Sequence, residues 1–212
     1  MATASETQRI PNNIDIQGDL IVRGSKPTSA RSELVQDNLV AYDLPISDFR
    51  VFDAYQTALG TPAADDLGIT TGAHGTGLPY ISTGDLKAAG ATTLRARILF
   101  TLPPEYVAGE TVQVRLAAGM VTTVADTSAT VDVECYVSAR TTLKTGSDLV
   151  STSATTINSV TFAEKTFTIT ATSLSPGDVL DLRISIAVTD AATGTAVIGA
   201  IAHAEVQCDV KG

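Results

Sequence analysis

The chain has 212 residues, of which 44% are apolar, 17% charged and 5% aromatic, with no Trp. That is enough apolar material for one large domain, or one domain with an arm, and it excludes collagen, coiled coil and extended disorder. The net charge of −9 is split between 13 acids and 9 bases in residues 1–125 and 10 acids and 5 bases in residues 126–212, so neither part is basic enough to track nucleic acid; no apolar run approaches the roughly 20 residues of a membrane span.

The opening, MATASETQRIPNN, lacks the basic stretch and apolar run of a secretory leader, and residues 1–13 are polar. From Ile14 the chain reads IDIQGDLIVRG. Ile14 and Ile16 alternate with polar residues, Gly18 interrupts, and Leu20 and Val22 alternate again before Gly24. This pattern predicts two very short strands, too short to hold a sheet alone and in need of a partner surface. Residues 25–41, SKPTSARSELVQDNLVA, predict one short helix. Ser29 or Ser32 caps it, Glu33 sits in the first turn, and Leu34, Val35, Asn38 and Leu39 mark one side; Pro45 bars its continuation. FRVF over 49–52 is a candidate strand. Residues 60–91 hold seven Gly and two Pro and read as a long ordered loop.

After residue 91 the pattern becomes strictly alternating. Leu94, Ala96, Ile98 and Phe100 share one face, and Pro103-Pro104 stops the strand. Val112, Val114 and Leu116 follow, then Val131, Val133, Cys135 and Val137, with Asp132, Glu134 and Tyr136 opposite them. Phe167, Ile169 and Ala171 form the next segment. Leu180, Leu182, Ile184, Ile186 and Val188 then stand against Asp181, Arg183 and Ser185. In the last segment Ile198, Ala200, Ala202, Ala204, Val206, Cys208 and Val210 read as the inward face, with Ile201, His203, Glu205, Gln207 and Asp209 on the other. Six period-2 segments punctuated by Gly, Pro, Asp and Ser predict an all-β, antiparallel two-sheet β-sandwich with an extended N-terminal arm and one short helix. The expected division is an arm and helix over 1–60 for assembly, a Gly-rich loop over 61–91 and the sandwich over 92–212.

Cys135 and Cys208 fall in phase with Val residues and are expected to be buried, reduced core residues; an inter-sheet disulfide is the alternative. Arg95, Arg97 and Arg115 are the densest basic group and are expected to pair with carboxylates across strands. Two histidines, His74 and His203, lie far apart in sequence, and neither has a second His nearby; His203 is expected to pair with Glu205. Asp65, Asp66 and Asp178 are candidate calcium ligands, though turn capping is the commoner use of such Asp. The glycines of GAHGTG over 72–77 lack the Lys of a phosphate loop, and no motif of a serine hydrolase or zinc protease occurs. No enzyme, no metal and no cofactor is therefore expected.

The phrase LPPEYVAGETVQVR over 102–115, the phrase LSPGDVLDLRISI over 174–186 with DAATG after it over 190–194, and DIQGDLIVRG over 15–24 resemble the structural proteins of tailed-bacteriophage virions. The first two are similar to the strand-turn-strand pattern of jelly-roll-like sandwiches on phage particles, and the third to the Gly-punctuated anchor segments of trimeric appendages. Residues 45–91 match nothing in that pattern. The resemblance implies a non-enzymatic head decoration (cement) protein on the capsid surface, made in the host cytoplasm. Its expected partners are its own copies, as a homotrimer, and the major capsid protein or other virion proteins, with no nucleic acid and no membrane. The candidate assembly residues are Ile14, Ile16, Leu20, Val22, Leu34 and Leu39. The alternative is a carbohydrate-binding or adhesive β-sandwich, such as a receptor-binding tail component. Such modules stack sugars on exposed aromatic rings, of which this chain has only five Tyr and five Phe to supply.

Overall fold

A computed structural model describes residues 37–87, 90–138, 146–191 and 194–211. Within them the chain forms β1 (Asp37–Asp43), β2 (Arg50–Val51), β3 (Gly68–Thr70), β4 (Tyr80–Ser82), β5 (Gly90–Thr101), β6 (Val112–Met120), β7 (Ser128–Ser138), β8 (Thr155–Thr156), β9 (Ala163–Ile169), β10 (Val179–Asp190) and β11 (Gly199–Lys211). One sheet runs β3-β4-β11-β6-β9, with β1 sharing the edge of β11 with β4; the other runs β2-β5-β10-β7-β8. Among the described residues these strands pair antiparallel. The long strands β5, β6, β7, β9, β10 and β11 alternate between the two sheets along the chain, which is the winding of a jelly-roll sandwich.

The core lies between the sheets and follows the alternation. Leu180, Leu182, Ile184, Ile186 and Val188 of β10 are buried against Val112, Val114, Leu116 and Met120 of β6 and Val206 and Cys208 of β11 in one continuous apolar cluster. Each such side chain contributes about 1.5–3 kcal/mol on burial. Cys135 and Cys208 are both buried and free, on different sheets. The LPPEY and SPGD phrases dock together at one end: Leu102 N–H donates to Asp178 O (2.9 Å), and Gly177 N–H donates to Leu102 O (2.9 Å). Gly177 (φ +83°) and Gly109 (φ +82°) take the left-handed turn positions that favour glycine. Tyr106 is buried beneath this junction and donates its hydroxyl to Glu110 O (2.7 Å).

Four expectations need correction. The described part of the expected helix is strand: Asp37 to Ala41 pair in register with Lys211 to Gln207. A helix here would leave that length of the β11 edge without backbone partners, and tertiary pairing overrides a marginal local preference. Residues 25–36, Leu34 among them, lie outside the described residues. The sandwich is not confined to 92–212, because β1 to β4 join its sheets and Phe49 is fully buried. The stretch 61–91 is not only loop, since it carries the β3–β4 hairpin.

The fourth correction concerns β11. Its register against β6 shifts between Ile201 and His203, leaving Ala202 as a bulge residue. The inward phase therefore changes along the strand: Ile201 is 1% exposed and opposes Ala118, whereas Ala202 faces solvent and Ala204 resumes the core.

Candidate functional site

The outer face of the five-stranded sheet is built from three neighbouring strands. β5 presents Arg95 and Arg97, β10 presents Asp181, Arg183 and Ser185, and β7 presents Asp132, Glu134 and Tyr136. Register places Arg183 between Arg97 and Glu134, and Ser185 between Arg95 and Asp132. Two arginines directly opposite repel, so each needs a carboxylate. Arg97 reaches diagonally to Asp181 and donates from Nε and Nη2 to both carboxylate oxygens, each at 2.6 Å. Arg183 donates to Glu134, which also accepts from the Tyr136 hydroxyl (3.3 Å).

The segment after β2 lies across this ladder. The Phe52 ring sits 5.7 Å from the Arg95 guanidinium and 5.5 Å from that of Arg183, and the Tyr55 ring 5.2 Å from Arg97, within cation–π range. Phe52 N–H donates to Asp66 Oδ1 (3.3 Å), and Arg95 pairs with Asp65 at 3.8 Å, tying the 61–66 turn to the same face. Arg183 Nε is buried without an acceptor among the described residues. Burial pushes the Asp132 carboxyl above its ordinary range, and Glu134 and Asp148 add to the rise.

Phe52, Arg97, Glu134, Tyr136 and Asp181 line a hollow of about 260 Å³, Arg95, Asp132 and Ser185 line one of about 250 Å³, and the two share Arg183. Together they form a groove along β10 from Asp181 to Ala187, roughly 20 Å long. It presents planar donors and acceptors fixed in pairs, with half-buried rings beside them.

The candidates from sequence are distributed differently. Ile14, Ile16, Leu20, Val22 and Leu34 lie outside the described residues. Leu39 is on β1 opposite Asp209, 46% exposed, and not part of the groove. Arg95 and Arg97 line the groove, but Arg115 is on the other sheet, bonded to Glu164 and 3.0 Å from Glu205. His203 Nε2 lies 3.4 Å from Glu205 Oε2, as expected, and 3.4 Å from Asp43 Oδ1. Asp178 caps its own turn, accepting from Ser175 N–H at 2.8 Å, and Asp65 and Asp66 are used as above. Among the described residues no three His, Cys, Asp or Glu side chains are arranged to hold a metal. Sequence reasoning missed Phe52, Tyr55 and the pairing of Arg183 with Glu134; the outward Asp–Glu–Tyr and Asp–Arg–Ser rows of β7 and β10 were the available signal.

No family model matches the chain, and no curated protein matches it. Among solved structures it is similar to the CBM22-1 xylan-binding domain of Paenibacillus barcinonensis Xyn10C, at 11% identity and TM-score 0.37, covering 83% of this chain and 97% of that one. It is also similar to the enzymatically active domain of tailspike protein 4 of bacteriophage CBA120, at 12% identity and TM-score 0.41, covering 78% of this chain and 20% of that one. A third similarity is to the Gx strain of infectious bursal disease virus, at 10% identity and TM-score 0.30, covering 73% and 38%. These likenesses are distant, and the sandwich assignment stands on the strand pairing itself.

Proposed function

We propose that this protein is a non-enzymatic, carbohydrate-binding adhesive module that holds its ligand in the groove on the outer face of the five-stranded sheet. The observation that carries the reading is the placement of Phe52 and Tyr136 in an open groove with the Arg97–Asp181 and Arg183–Glu134 pairs. Rings offer apolar faces to the C–H surface of a sugar, and fixed guanidinium–carboxylate pairs offer adjacent donors and acceptors to neighbouring hydroxyls. A glycan array followed by titration calorimetry tests it. Phe52→Ala and Tyr136→Ala are each expected to weaken binding roughly tenfold or more, about 1.4 kcal/mol per decade. Absence of binding to any glycan on a broad array, with the fold intact, refutes the reading.

A second reading, a structural component of a phage particle of the capsid-decoration kind, is supported by a different surface. Val121, Val124, Val160 and Phe162 are between 37% and 57% exposed. They sit on two loops joined by Met120 N–H to Ser159 O (2.8 Å) and by Asn158, which bonds both backbone groups of Ala125. An apolar cluster of this kind suits contacts between copies or with a shell protein. In that reading the protein runs as a closed oligomer, a trimer, by light scattering, and Val160→Asp shifts it toward monomer. A monomer at all concentrations counts against it.

A further inference from the structure

Along the groove the middle strand β10 changes from large outward side chains to small ones. Asp181 and Arg183 give way to Ser185, which register sets between Arg95 and Asp132, and to Ala187, set between Thr93 and Thr130. Short side chains between longer ones leave the hollow of about 250 Å³. The two hollows differ in how their cations are engaged. Arg97 gives Nε and Nη2 to Asp181, and the hollow it lines also holds Asp53 and Glu134. In the other hollow, the carboxylate that Arg95 meets among the described residues is Asp65, at 3.8 Å and 58% exposed. A pair that long and that wet holds a guanidinium weakly. Arg183 donates from Nη2 to Glu134, while its Nε is buried with no acceptor among the described residues. A buried charged donor without an acceptor is costly, and a ligand oxygen that reaches it removes the cost.

We propose that this hollow holds the anionic group of an acidic glycan, a sugar carboxylate or sulfate ester, between Arg95 and the Nε edge of Arg183. The assignment rests on the carbohydrate-binding reading and names the class of sugar. The Phe52 ring stands 5.7 Å from one guanidinium and 5.5 Å from the other, so an anion that engages both brings its sugar beside that ring. Planar guanidinium edges match the paired oxygens of a carboxylate or sulfate, and the hydroxyls of Thr93, Thr130 and Ser185 line the same hollow as further donors. The neighbouring hollow is set against an anion. Apart from the shared Arg183, it places Arg97 against Asp53, Glu134 and Asp181, whereas the first places Arg95 against Asp132 alone. The glycan therefore lies with its charged residue toward Ala187 and uncharged ones toward Asp181. Asp132 is the like charge that opposes this anion, across Ser185 from Arg95. The chain's net charge of −9 gives an acidic sugar no long-range attraction, so the preference is made by contact.

An array of neutral, uronate-containing, sialylated and sulfated glycans, probed with the full chain, is the first test. Hits are expected among the acidic sugars. Hits confined to neutral sugars overturn this proposal and leave the groove reading standing, whereas no hit of any kind overturns both. The strongest acidic hit is then compared by titration calorimetry with its own carboxyl-reduced or desulfated form. The acidic form is expected to bind about tenfold more tightly or better, an advantage that shrinks as salt is raised. Loss of the advantage on carboxyl reduction assigns a carboxylate, and loss on desulfation assigns a sulfate ester; either upholds the proposal. Arg95→Gln should bring the ratio of acidic to neutral affinity close to one, and Asp132→Asn should widen it, with the thermal midpoint of each variant as the control for an intact fold. Equal affinity for the acidic and neutral forms overturns the proposal, as does a ratio that survives Arg95→Gln unchanged.

Discussion

Two ion pairs on the outer faces differ in what their loss costs. Asp181 is 7% exposed and depends on Arg97 for both oxygens. Arg97→Ala leaves a nearly buried carboxylate uncompensated, and we expect a loss of about 2–3 kcal/mol in chemical denaturation. Glu164, by contrast, has a side chain 52% exposed, so its pairing with Arg115 is screened by water. Glu164→Ala is expected to cost less than about 1 kcal/mol. Equal losses for the two variants would contradict the assignment of burial. Burial also sets the behaviour in alkali. It pushes the Cys135 thiol up to about 12, Cys208 to about 11 and the Tyr106 hydroxyl to about 12, from ordinary values of 9, 9 and 10. In the unfolded chain these groups ionise at their ordinary values, whereas in the folded chain they stay neutral for longer. Their contribution is therefore complete below pH 9 and is lost progressively as pH rises from 9 to 12. Denaturant midpoints measured across that range should fall, and Cys135→Ala should make the fall shallower while lowering stability at neutral pH by on the order of 1 kcal/mol. A native thiol titration showing rapid labelling at pH 8 would contradict the burial.

At the scale of the element, β11 shows how one inserted residue reassigns a face. Simple alternation puts Ile201 with His203 and Glu205 on the polar side, yet the bulge at Ala202 turns it into the core, where it is 1% exposed opposite Ala118. Ile201→Ala should then cost about 2–4 kcal/mol, as for other buried large-to-small changes. Ala202→Ser, at an exposed position, should stay within about 0.5 kcal/mol. A neutral Ile201→Ala would show that the strand keeps a single phase. The same bulge separates the β4-paired and β1-paired lengths of β11 and so opens a cleft between them, lined by Leu44, Ile46, Ile69 and Ala202.

At the scale of the whole molecule, one apolar cluster runs from Leu44 to Val210 among the described residues. Phe49 and Leu59 enter the same apolar cluster as β5 to β11, and β1 covers the β11 edge from Glu205 to Lys211. Removing residues 1–36 should leave a soluble chain that melts cooperatively, with its thermal midpoint within a few degrees of the full chain. Removing 1–43 takes β1 as well, and should lower that midpoint clearly and promote association through the bared edge. If both truncations melt alike, β1 is dispensable and the expected boundary near residue 60 regains force.

Fold class and most inward faces follow from local residue patterns. In β5, β6, β7, β9 and β10 the period-2 pattern is local, and which side is buried follows from it directly: Val131, Val133 and Cys135 are inward as read, and so are Leu180 to Val188. The carboxylate pairing of the arginines was legible in kind, since cations on a sheet face need partners, but the partners themselves depend on register. That Asp37–Asp43 is strand is set by long-range pairing, because the choice is made by the otherwise unpaired edge of β11, more than 160 residues away in sequence. Long-range pairing also decided the phase of Ile201, because a bulge is a property of the pairing and leaves the alternation unmarked. The groove belongs to the same class: Phe52, Arg97, Glu134 and Arg183 come from four separate stretches. They meet because β2, β5, β10 and β7 lie in that order in one sheet, an order fixed by long-range pairing and not by any residue's neighbours in the chain.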